Sequence, residues 1–204
     1  MTPGLFAAKM PVALGATPLG LWVGHDLVVN GSNQVTSWPG RLGPTLTNGT
    51  GTLGTRSFLR STPAWLGNTS ALCNVGATLA NSYKFVAVVT SMPLLPFTNY
   101  LTALRSATFE MIAGTSGAST LYTGQWWGHV VDGAVTETIT SSAKVVMSSY
   151  INTVDTDTNI MVGGHASILA RQWPNPIALV LAATLVPSNT QLAAVLALIN
   201  SFIG

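Results

Sequence analysis

Residues Gly49 to Gly54 read GTGTLG and match the G-x-G-x-x-G spacing that lets backbone amides approach a pyrophosphate. That chemistry needs a helix N-terminus directly behind the glycines. The residues that follow, TRSFLRSTPAW, have no helical period, so the stretch reads as a Gly/Thr loop. Asp155, Asp157 and Asn159 are spaced like the first ligands of a calcium loop. Ile160 stands where that loop needs Gly and Ala166 where it needs Glu, which leaves a weak divalent site at most. His25, His129 and His165 share no ligand spacing. GTSGA (Gly114 to Ala118) is not a nucleophile elbow. The six carboxylates, Asp26, Glu110, Asp132, Glu137, Asp155 and Asp157, form no close pair of the kind that flanks a glycosidic bond. The chain is therefore expected to have no catalytic residues and no cofactor.

The stretch LYTGQWWGHVV (Leu121 to Val131) is more informative. On a regular strand, neighbouring side chains point to opposite faces. Tyr122, Trp126 and Val130 would share one face; Thr123, Gln125, Trp127 and His129 would share the other, more polar one. An outward Trp127 beside Gln125 and His129 could stack on a sugar ring or anchor a partner. A bulge, or a second layer over Trp127, would bury both tryptophans instead.

These residues need a scaffold, and composition says which. Only 7% of the 204 residues are charged, where about 25% is usual. Such a surface is poorly protected against association and points to contact with other chains. The net charge is +2 and the eight Lys and Arg are scattered, so the basic footprint of a nucleic-acid binder is missing. A single cysteine, Cys73, rules out an internal disulfide and a cysteine-based metal site.

Period-two patterns dominate. Strands are predicted over Lys84 to Thr90, Ala107 to Ala113, Ala143 to Ser149, Thr158 to Gly164 and Ile177 to Val186. Turn signals stand at Asn30-Gly31, Asn48-Gly49, Gly114 to Gly117 and Gly163-Gly164, and Asp132-Gly133 marks a two-residue hairpin. No charge follows Arg171, yet the apolar tail is no membrane span: Pro187 stops the first run, and Ser188 with Gln191 forms a capping box for a helix over Asn189 to Phe202. Pro3, Pro11 and Pro18 break the N-terminus, which lacks a basic signal-peptide start and reads as an extended arm over residues 1–18. The expected fold is all-β, a two-sheet antiparallel β-sandwich or jelly roll over 19–204 with a short C-terminal helix.

The order of Trp22, Val35 with Trp38, Asp132-Gly133, Gly163-Gly164, Pro187-Ser188 and Gln191 resembles the concanavalin A-like, laminin-G-like jelly-roll domains of many bacteriophage virion proteins and secreted bacterial proteins. The sequence departs from that family at WPGRLG, where Asp often follows the Trp, and in the alanines that replace the polar face of the last helix. It also lacks the E-x-D-x-x-E-like strand of the clan's glucanases. The resemblance implies a non-enzymatic virion protein: a capsid decoration, head-fibre or tail component that joins neighbouring capsid or tail subunits, located in the virion. A homo-oligomer is expected, a trimer by analogy. The alternative is a carbohydrate-binding adhesin for host surface glycans using Trp127, Gln125 and His129; a glycoside hydrolase ranks third.

Overall fold

The computed structural model describes residues 1–68, 73–107, 110–123, 126–150, 158–165 and 167–204. The chain opens with helix α1 (Pro3–Leu14) and strands β1 (Gly20–Val23), β2 (Val28–Val29) and β3 (Val35–Trp38). There follow β4 (Leu46–Gly51), β5 (Thr55–Leu59), β6 (Thr62–Leu66), β7 (Cys73–Thr78) and β8 (Phe85–Thr90). Next come β9 (Leu101–Arg105), β10 (Glu110–Gly114), β11 (Trp126–Val131) and β12 (Ala134–Val135). The chain closes with β13 (Val145–Tyr150), β14 (Asn159–Val162), β15 (Ile177–Ala183) and helix α2 (Asn189–Ile203).

Two antiparallel sheets result, as the period-two pattern predicts. The first runs β12-β11-β13-β8-β15-β6-β5, with β1 also paired to β15; the second runs β10-β9-β14-β7-β4-β3-β2. Between them lies a core built on Trp22, Trp38, Trp65 and Trp173 with Val86, Val88, Ile160 and Val180. Buried indoles usually find an acceptor for their N–H, and three of these four do, Trp65 being the exception. Trp22 donates to the Pro44 carbonyl at 2.8 Å, Trp38 to the Val23 carbonyl at 2.8 Å and Trp173 to the Thr90 hydroxyl at 2.9 Å.

The apolar tail is a central strand followed by a docked helix. Alternate residues of β15 serve different cores: Val180 and Ala182 face the second sheet, while Leu179, Leu181 and Ala183 face the helices. Its partner β8 divides in the same way, with Val86 and Val88 on one side and Phe85, Ala87 and Val89 on the other. A strand covered on both faces has no solvent side to mark with polar residues, which is why this run shows no alternation. Among the described residues, no helix is long and apolar enough to cross a membrane. The capping box of α2 is present: Ser188 N–H donates to the Gln191 side chain at 2.7 Å, and Gln191 N–H donates to the Ser188 hydroxyl at 3.4 Å.

The N-terminus corrects the expectation of an extended arm. Residues 3–14 are helical, and Phe6, Met10 and Leu14 are fully buried against the first sheet and α2. The prolines do not prevent this. Pro3 occupies the first helical turn, where a missing N–H breaks no bond. Thr2 caps the start, and Gly15 ends the helix with its N–H on the Pro11 carbonyl. Pro18 lies beyond that stop. Only Pro11 sits inside, and burial of one side chain every fourth residue offsets the hydrogen bond it forgoes. The helices add a third layer to the sandwich, with Phe6 stacked on Phe202 at 4.3 Å between ring centres.

Two turn signals behave differently. Asp132 and Gly133 take φ of 48° and 93° and close the β11–β12 hairpin as expected. Asn48-Gly49 lies inside β4, where the register against β7 shifts between Asn48 and Thr50. There the chain makes a bulge where the dipeptide predicts a turn.

Candidate functional site

The ladder between β11 and β13 is interrupted. Trp126 stands opposite Tyr150 and Trp127 opposite Ser149; the register then shifts, and Val130 stands opposite Met147. Gly128 has φ of 80° at the break, a glycine-opened bulge. The extra residue undoes the expected alternation. His129 is buried and does not stand on an outward face. Gln125 lies outside the described residues, and of Trp127 the backbone alone is described.

The His129 ring is satisfied at both nitrogens: Nδ1 is 2.6 Å from the Ser148 hydroxyl and Nε2 is 3.3 Å from the Tyr122 carbonyl oxygen. A carbonyl can only accept, so Nε2 donates and Nδ1 accepts from Ser148. Burial lowers the His129 pKa, partly opposed by the Tyr122 carbonyl and by Glu137. A serine that donates to a histidine is the first element of nucleophile activation. Here both side chains are buried, so this pair ties β11 to β13 in the core and no substrate reaches it.

The weak calcium candidate does not gather either. Asn159 begins β14 and accepts from the Thr78 hydroxyl at 3.0 Å, while Asp155 and Asp157 lie outside the described residues. Among the described residues, no group of three His, Cys, Asp or Glu could hold a metal ion.

A different group of polar side chains does converge. Arg105 on β9 and Glu110 on β10 are directly opposite in the antiparallel ladder, an opposite-charge cross-strand pair. The short helical turn Leu169–Arg171 brings Arg171 to 3.6 Å from Glu110, an ion pair too long for a hydrogen bond. The Arg171 guanidinium lies over the Tyr100 ring at 5.6 Å, and Tyr100 meets Tyr122 edge to face at 6.0 Å. His165 belongs to the same neighbourhood. Its pKa is lowered first by burial and then by Arg105, with Glu110 opposing and Arg171 lowering it further. The local field is therefore positive. Within this region Arg105 Nε, Glu110 Oε2, Thr102 Oγ1 and Gln172 Oε1 are buried without a hydrogen-bond partner. Unpartnered polar atoms are uncommon in protein interiors, and four of the six found among the described residues lie in this region.

No local pattern marks this cluster, because its members are separated by up to about seventy residues. The available signal was scarcity: in a chain with so few charges, three of them meet here beside two tyrosines. Compared with models of known protein families, with curated proteins and with solved structures, the chain gives no match.

Proposed function

We propose that the chain is a non-enzymatic structural component of a bacteriophage virion, a capsid decoration, head-fibre or tail protein that joins neighbouring subunits. The observation that supports this is the outer surface of the helical layer. The helix α2 carries no charged residue, and α1 carries only Lys9. Their solvent side is paved with Leu5, Ala8, Val12, Ala193, Ala194 and Ala197, and Val12 is 84% exposed. Beside α2 an apolar groove of about 500 Å³ runs to the β11–β12 hairpin, where Val135 is 76% exposed. A protein that stays alone usually keeps such a face charged; apolar surface of this kind marks contact with other chains.

The test is co-sedimentation of the purified chain with virions or empty capsids, alongside Ala197→Glu, which places a charge at the centre of that face. Binding by the wild type and its loss in the variant, with an unchanged fold, is the expected result. A chain that stays monomeric and ignores both particles overturns the proposal.

A second reading, compatible with the first, is glycan recognition. It is favoured by one observation: Tyr100 and Tyr122 are 42% and 41% exposed while remaining in contact with each other. Exposed tyrosine rings offer apolar faces to the C–H side of a pyranose and a hydroxyl to its rim. This patch is separate from the expected site at Trp127, Gln125 and His129, of which His129 is buried.

A further inference from the structure

The glycan reading leaves open what kind of sugar the tyrosines would meet, and the charges behind them bear on it. Arg105 and Arg171 are set against Glu110, two positive charges against one negative. The two arginines are not equivalent. Arg105 is 6% exposed, and its guanidinium donates to the Ala107 carbonyl at 2.9 Å while Nε is closed off without a partner. Arg171 is the accessible one: its side chain is 36% exposed. Among the described residues its guanidinium donates no hydrogen bond, because the Glu110 oxygen stands too far away. A planar fork of donors held over Tyr100, with Arg105 adding a second positive charge opposite Glu110, suits a carboxylate bound through two parallel N–H···O bonds.

Resting on the glycan reading, we propose that the Tyr100–Tyr122 patch takes an acidic saccharide, with the sugar ring on the tyrosines and its carboxylate on Arg171. One ligand carboxylate balances the excess positive charge. The depressed pKa of His165 keeps that ring neutral near pH 7, so it adds no further charge to be matched. The half-buried Glu110 pairs with Arg171 at 3.6 Å and is not assigned a contact with the ligand. The apolar ring and the carboxylate would therefore be recognised by separate residues, which allows separate tests.

Binding is measured for a panel of acidic polysaccharides, polyuronates and sialic-acid polymers, each paired with its carboxyl-reduced form. The expected result is roughly tenfold or tighter binding to the acidic member, the scale of one charge-assisted bidentate contact, weakening as salt is raised. Arg171→Gln should erase the difference between the two members, and Tyr122→Ala should weaken binding to both. Equal binding of acidic and reduced forms, with loss in Tyr122→Ala, overturns the acidic preference and leaves the glycan reading standing. No binding to any member, with the thermal midpoint of the protein intact, overturns both. A preference that persists in Arg171→Gln places the carboxylate elsewhere and overturns the assignment of Arg171.

Discussion

Replacing Phe6 by Ala tests whether the N-terminal helix is part of the folded core. The Phe6 ring is fully buried and stacks on Phe202 with ring centres 4.3 Å apart and planes 20° apart. Truncating a fully buried Phe to Ala costs about 3–5 kcal/mol, the sum of lost transfer energy and the cavity left behind. Phe202 lies near the chain's last turn and is slightly exposed, so some collapse into the space is available and the lower half of that range applies. With a urea m-value of about 2 kcal/mol per molar, a loss of about 3 kcal/mol lowers the unfolding midpoint by about 1.5 M. Equilibrium urea unfolding followed by tryptophan fluorescence reads this directly, since Trp22, Trp38, Trp65 and Trp173 all lie in the neighbouring core. A double-mutant cycle with Phe202→Ala should return a coupling of about 1 kcal/mol, the contribution of the stacked pair beyond area. A free, extended arm gives a different result: Phe6→Ala would change stability by less than about 0.5 kcal/mol, as surface substitutions do, and the two variants would be additive. That outcome refutes the docking of α1.

Two further predictions concern the core. Gly163 has φ of 89°, and a Cβ built there would lie 1.8 Å from the Trp65 ring; Gly163→Ala should therefore cost more than about 3 kcal/mol, combining left-handed strain with overpacking, and a thermal midpoint unchanged from wild type would contradict the packing described. The second concerns pH. Burial holds His129 below its ordinary pKa of 6.5, and His165 is lowered as well, first by burial and then by Arg105. As pH falls through 6.5 the unfolded chain takes up protons that the folded chain refuses. Stability from these groups is fully present above that value and is lost as pH falls toward the folded-state values. Thermal midpoints measured from pH 8 down to pH 5 should decline through this window, and His129→Gln should flatten the decline; an equal slope in the variant would remove His129 as its source.

The short-range patterns of this sequence settled part of its local structure. The runs Lys84 to Thr90 and Ile177 to Val186 read as buried strands, and strands form over Phe85–Thr90 and Ile177–Ala183. Asp132-Gly133 could close a tight hairpin, and Ser188 with Gln191 could start a helix, because in each case the decisive contacts lie within a few residues. The sandwich class followed from the same local periods. Tertiary structure decided the remainder. Whether Pro11 interrupts or is tolerated depends on a sheet and a second helix that reward burial of Phe6, Met10 and Leu14, and nothing local to residues 1–18 reports them. Asn48-Gly49 could serve a turn or a bulge equally, and its pairing with β7 chose the bulge. His129 moved from a surface face to the core because one glycine at Gly128 shifted the period of β11 against β13. The group formed by Arg105, Glu110, Arg171 and the two tyrosines exists because β9 lies between β10 and β14 and the turn at Leu169–Arg171 folds beside it. Periodicity in a sequence sets which way a side chain points along a regular strand, until a bulge such as that at Gly128 shifts it. Which charges meet is fixed by the pairing of strands distant in sequence, and that depends on the free energy of the whole core.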